Sequence, residues 1–192
     1  MSYAKYTTEA LVLGSREYGE ADCVFALFTR DFGLVNARAS AVRSERSKMR
    51  YALQKYSLTE ISLVKGMKGY RAAGGVTITS THRANPKALS AFARIAELVI
   101  RLVHGEEKND YLFDTLIEAH RALLEDPSDS IATIEIVSVA RVLYALGYIS
   151  SEAFETTLFS HTSYAMEHVM EGEKMRDTLL DTINRAISGT HL

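Results

Sequence analysis

One cysteine, Cys23, and two prolines are all that 192 residues hold of either type. A lone thiol makes no internal disulfide and leaves zinc without a second sulfur ligand, so a reducing, intracellular compartment is expected. Met1 to Glu9 lack the basic flank and apolar core of a secretory leader. The longest apolar stretch, Ile131 to Leu146, contains Glu135 and Arg141 and is too short to span a bilayer. The reading is a soluble, cytoplasmic protein with no membrane partner. Internal repeats, low-complexity tracts and flexible linkers are also missing.

The motifs of common catalysis are missing too. There is no Gly-rich loop ending in Lys-Ser/Thr, no GxGxxG, and no serine in a nucleophile elbow. His161 and His168 have the spacing to share a helix face, yet Glu167 and Glu171 complete no recognised ligand pattern, so they read as solvated surface histidines. Cys23, among apolar neighbours, reads as a buried inert thiol. Glu20 and Asp22, beside Gly19, read as turn-shaping carboxylates rather than an acid–base pair. The expectation is a protein that is not an enzyme, with no metal and no cofactor.

What is present is divided by charge. Residues 1–75 carry 12 Lys and Arg against 7 Asp and Glu; residues 76–192 carry 10 against 17. The N-terminal excess lies within Arg38 to Lys55, which holds six cations and one acid, Glu45. Such asymmetry points to nucleic acid or another anionic surface.

The first part reads as strands. Ala10–Leu13 is an apolar run closed by Gly14, with a turn over Glu17–Glu20. Val24–Phe28 is apolar at every position, so both faces are expected to be covered. Asp31-Phe32-Gly33 turns. In Leu34–Ala41, Val35, Ala37, Ala39 and Ala41 fall on one face, small enough for a narrow barrel interior. Ser44–Leu53 breaks the alternation as a short helix or loop. Ser57–Val64 and Tyr70–Thr79 return to strand around the turn at Lys65–Gly69. Leu58 and Ile61 have opposite parity, which calls for a bulge. Five short strands with a non-strand insert after the third form the layout of an OB-fold barrel.

The second part reads as helices. Asn85-Pro86 supplies an N-cap and a first-turn proline, and Leu89, Phe92, Ala96, Val99 and Val103 form the apolar stripe. A second helix, 111–125, faces Leu112, Phe113, Leu116, Ile117, His120, Leu123 and Leu124 inward and ends at Asp126-Pro127. The third, Ile131–Leu146, is apolar nearly all round and belongs at a bundle centre; a groove for a partner peptide is its alternative use. A short helix is expected after Ser151, and a last one within Ala165–Ile187 through Val169, Leu179, Ile183 and Ile187. The fold class is α+β: a five-stranded OB-fold barrel (1–80, nucleic-acid-binding) packed on an all-helical domain (81–192).

The candidate site is Arg38, Arg43, Arg46, Lys48, Arg50 and Lys55 with Tyr51 and Tyr56 interleaved: cations for phosphates and aromatic faces for bases. The segments Ala10–Leu13, Tyr18-Gly19-Glu20-Ala21-Asp22, Leu27–Leu34, Ala41-Val42-Arg43, Ser47–Gln54 and Tyr56–Glu60 resemble, in order and spacing, the start of RecO, the bacterial recombination mediator. Leu143–Tyr148 is a weaker echo.

The resemblance implies an OB-fold followed by helices, binding of single- and double-stranded DNA, annealing of complementary strands, and cooperation with RecR and single-strand-binding protein. It implies that the basic stretch holds a strand. Many family members carry a zinc-binding cysteine cluster after the Leu-Gly-Tyr segment; Ile149 to Leu192 holds no cysteine, so a short, zinc-free member is expected. The rival readings are an OB-fold RNA-binding module and a protein-interaction adaptor whose basic run is merely solvated.

Overall fold

The computed structural model describes residues 4–125, 130–150 and 156–189. The strands are β1 (Lys5–Tyr18), β2 (Asp22–Thr29), β3 (Gly33–Ala39), β4 (Leu58–Gly66) and β5 (Gly69–Thr79), with helix α1 (Met49–Ala52) between β3 and β4. They close into a barrel in the order β1-β2-β3-β5-β4, where only the β3–β5 pair is parallel. This is the five-stranded barrel expected from the strand spacing, with the non-strand insert in its expected place.

Alternation fills the interior. Val35, Ala37 and Ala39 point inward from β3 and meet Phe25 and Leu27 of β2 and Ile61 of β4. Outward Asn36 and Arg38 remain in water. The bulge required by Leu58 and Ile61 is present, as a register shift between Leu58 and Thr59.

Three local readings need correction. The first strand does not close at Gly14 but continues to Tyr18, because Leu13 is taken up as a bulge between the pairs Val12–Leu27 and Gly14–Ala26. The third strand stops at Ala39. Ala41 is exposed with φ 51°, and Val42 takes the next inward place. Asp22 Oδ1 accepts the Ala41 N–H at 2.8 Å and turns the chain out of the sheet there. In β2, Val24 and Ala26 are only half-buried, so the outer face of that strand is not fully covered.

The helices are α2 (Pro86–Leu102), α3 (Asp110–Glu125), α4 (Ile131–Ala145), α5 (Met166–Lys174) and α6 (Arg176–Gly189). Asn85 Oδ1 accepts the Lys87 N–H at 2.9 Å, as its N-cap role requires. The buried face of α2 is wider than the stripe read from sequence. Ala88, Ala91, Ile95 and Leu102 join Phe92, Ala96 and Val99, while Leu89 and Val103 are half-buried. On α3, Ile117 and Leu124 are likewise half-buried. The last helix is two, broken at Met175. The end at Asp126-Pro127 and the start of a helix after Ser151 lie outside the described residues.

Helix α4 packs on α2, α3, α5 and α6, which is the central position its composition demands. A Cβ at Gly172 would stand 2.5 Å from Val137 Cγ2, so α5 meets α4 at contact distance there. Arg141 of α4 has 0% exposure, and a buried charge is costly unless its donors are used. Nε donates to Leu158 O at 2.8 Å, Nη1 to Thr162 O at 2.8 Å and Nη2 to Ser163 O at 3.1 Å. The guanidinium lies 4.7 Å from the Tyr164 ring. No helix among the described residues is long and apolar enough to cross a membrane.

The chain forms two compact units, Met1–Arg83 with Val103–Lys108, and Ala84–Leu102 with Asn109–Leu192. Residues 103–108 therefore count with the barrel. Glu106 Oε2 accepts from Lys65 Nζ at 2.8 Å and from the Tyr70 hydroxyl at 3.1 Å.

Candidate nucleic-acid interface

Residues paired across a sheet project from the same face, so the register places the outer side chains in rows. Arg16 pairs with Val24, Val24 with Arg38, and Arg38 with Arg71. At about 4.8 Å per strand this row crosses β1, β2, β3 and β5 in roughly 14 Å. Tyr18 and Asp22 form a neighbouring row, and Ala26 and Asn36 another.

The bulge at Leu13 creates this arrangement. Ala10 and Val12 point inward, and strict alternation would send Arg16 and Tyr18 inward as well. One extra residue inverts the parity and delivers both to the outer face.

The rows floor a groove of about 500 Å³, lined by Arg16, Tyr18, Val24, Asn36, Arg38, Ser40, Lys68, Tyr70 and Arg71. Lys68 comes from the β4–β5 turn and Tyr18 from the end of β1, so the groove lies over β2 and β3 between those two turns. OB-folds that bind oligonucleotides use this face and these loops. Four cations line it and no carboxylate does.

Asp22 stands at the edge of this groove. Its Oδ2 accepts from Arg38 Nε at 2.8 Å and Nη2 at 2.6 Å, and the guanidinium lies 4.5 Å from the centre of the Tyr18 ring. The Ala41 N–H, and then Arg38, hold the Asp22 carboxyl below its ordinary value. Arg38 is thus laid flat on an aromatic face that is itself 49% exposed.

The residues singled out in the sequence do not form one patch. Arg38 lines the groove. Arg43 Nη1 pairs with Glu17 Oε2 at 3.1 Å. Arg46 and Lys48 are exposed before α1. Arg50 and Tyr51 lie on α1, where Arg50 Nη2 donates to the Tyr51 hydroxyl at 2.6 Å and its guanidinium lies 4.7 Å from a ring that is 55% exposed. Lys55 Nζ is 4.9 Å from the ring of Tyr56, which is buried and so offers no face to a base, contrary to the expectation from sequence.

Sequence reasoning missed Arg16, Tyr18, Lys68 and Arg71. The last two flank Gly69 of the hairpin and were visible as turn-adjacent cations. The first two were hidden by the bulge.

Other candidates resolve simply. Cys23 packs against the barrel interior, half-buried, and burial pushes its thiol up. Asp22 shapes the exit from β3, as a turn carboxylate should. His161 lies outside α5, so the two histidines share no helix, although their rings stack with centroids 5.3 Å apart. His168 is half-buried rather than solvated. No group of three or more His, Cys, Asp or Glu among the described residues is arranged to hold a metal.

Comparison with known proteins gives two family matches. Residues 1–79 match the family described as Recombination protein O N terminal, and 83–151 the one described as Recombination protein O C terminal. Among relatives, the DNA repair protein RecO of Heliobacterium modesticaldum is 32% identical over 145 residues, 74% of this chain and 52% of that protein. That of Pelotomaculum thermopropionicum is 28% identical over 140 residues, covering 72% and 55%. That of Desulfitobacterium hafniense is 43% identical over 61 residues, covering 32% and 22%. The chain spans about half the length of the first two of these relatives. Both matches fall in the order of the barrel and the helices, and together they cover well over half of the chain: it belongs to the RecO family of DNA repair proteins.

Proposed function

We propose that the chain is a DNA repair and recombination mediator without catalytic activity, acting in the cytoplasm at the nucleoid. It binds single- and double-stranded DNA, anneals complementary strands, and helps load the recombinase together with RecR and single-strand-binding protein. Residues 1–80 are its OB-fold nucleic-acid-binding domain and 81–192 its helical domain. Arg38, Arg43, Arg46, Lys48, Arg50, Tyr51 and Lys55 contact DNA, joined by Arg16, Lys68 and Arg71.

The observation that carries this reading is the row Arg16–Arg38–Arg71 on the exposed barrel face, with Lys68 at its rim and Tyr18 beside it. Phosphate contacts release counterions, so affinity depends steeply on salt, and they carry no base identity. Annealing needs backbone charge neutralised while base edges stay free, and a shallow groove of arginines with one exposed ring meets that need.

The test is Arg16→Ala/Arg38→Ala/Arg71→Ala, all exposed positions. For single-stranded DNA the slope of log affinity against log salt should become shallower by roughly 2. Between 50 and 200 mM salt the parent should then lose roughly twentyfold more affinity than the variant. Thermal unfolding controls for structure. A folded variant with the parent's slope would place DNA elsewhere, and a parent that binds RNA but not DNA would replace the reading.

A further inference from the structure

The basic run that is continuous in sequence is divided in space. The groove is fixed at the start of β5, where Tyr70 and Arg71 pair with Ala37 and Arg38. The cap formed by α1 and the residues after it is fixed at the other end of that strand: Thr77 Oγ1 donates to Tyr51 O at 3.1 Å, and Thr81 Oγ1 to Lys55 O at 3.2 Å. Thr77 lies six positions along β5 from Arg71, about 20 Å of strand. In the chain that joins them, Arg43 is paired with Glu17, and Glu45 and Arg46 are exposed.

Resting on the DNA-binding reading, we infer that the barrel carries two separate single-strand sites: the groove, and a cap site made by Lys48, Arg50, Tyr51 and Lys55. The cap has both elements of a strand site. Its cations are exposed, and Tyr51 presents its ring with the Arg50 guanidinium against it, a platform on which a base stacks. Two strands held on one chain meet as an intramolecular pair, with their repulsion screened by separate sets of cations. Annealing then requires both sites, whereas holding one strand requires either.

The experiment titrates the full chain with an oligodeoxythymidylate of about eight nucleotides, within the range one OB-fold covers, and reads stoichiometry by native mass spectrometry. The parent should take two oligonucleotides. Lys48→Ala/Arg50→Ala/Lys55→Ala should take one and lose annealing of complementary strands, and Tyr51→Ala should weaken the second binding roughly tenfold.

Lysine acetylation of the parent, and of Arg16→Ala/Arg38→Ala/Arg71→Ala as the groove variant, locates the bound oligonucleotides. At saturation it should show Lys48 and Lys55 protected as well as Lys68, and in the groove variant Lys48 and Lys55 alone. A single oligonucleotide on the parent, with Lys68 protected and the cap lysines open, overturns the second site and leaves the DNA-binding reading standing. One oligonucleotide protecting all three makes the surface a single site and also overturns it. A parent that takes none removes both.

Discussion

On the barrel, Arg16, Arg38 and Arg71 stand in a row on the outer face of the sheet with water over them, whereas in the helical unit Arg141 has no exposed surface. The same side chain is under opposite constraints. Outside, it keeps its hydration and part of its donor set, contributes little to stability, and remains available to an anion. Inside, Arg141 commits Nε and both terminal nitrogens to three backbone carbonyls, of which that of Leu158 is bonded out of water. An exposed arginine can therefore be removed at little cost to the fold, and a buried one cannot.

The largest effect is expected from Arg141→Ala. Removing a buried charged group that makes three hydrogen bonds leaves a cavity and strands its partners, and about 3–5 kcal/mol of stability should be lost. Chemical denaturation measures it, while DNA affinity per folded molecule should stay within about twofold. A loss below about 1 kcal/mol would mean that the segment 156–164 does not depend on this side chain.

A smaller effect sharpens the picture of the barrel. Gly33 and Gly19 both have positive φ, 63° and 66°. A Cβ at Gly19 meets nothing within 4 Å, whereas one at Gly33 would lie 2.2 Å from Glu107 O. Gly19→Ala should cost about 1 kcal/mol, the conformational penalty alone. Gly33→Ala should cost more, because the backbone of residues 103–108 must move away as well. Equal melting temperatures for the two variants would show that this segment contributes nothing to the barrel.

The barrel was legible because its interior is written in a period of two: Val35, Ala37 and Ala39 could only line something narrow, and five such runs leave few closed arrangements. The central helix was legible because Ile131–Ala145 has no polar face to turn to water. The groove was not. It depends on the register of four strands and on a parity inversion at Leu13, and one apolar residue in an apolar run carries no mark of being a bulge. A contiguous basic run was read as one surface, although the distance between its ends is set by β5 and not by the chain that joins them. The break at Met175 was missed because Val169, Leu179 and Ile183 keep helical spacing across it.

The smallest effect probes the carboxylate that pairs with a groove arginine, Asp22 on Arg38. Asp22→Asn removes a negative charge next to Arg38 and keeps an oxygen that can still accept the Ala41 N–H. Two consequences oppose each other. Arg38 is released from its internal counterion, which strengthens phosphate binding, and it is no longer pinned on Tyr18, which weakens it through lost order. The first should prevail at low salt, since Arg38 then neutralises phosphate instead of Asp22. Affinity for single strands should rise about two- to fivefold, with a slope steeper by up to about 0.7. Stability should move the other way. The folded carboxyl titrates below its ordinary value of 3.8, so its contribution is complete at neutral pH and is lost as pH falls through the lowered value. The variant lacks that contribution at every pH, so the gap in melting temperature should be full at pH 7 and close on acidification below about 4. If affinity falls instead while the gap behaves as described, Asp22 positions Arg38, and the groove depends on the geometry of its arginines more than on their number.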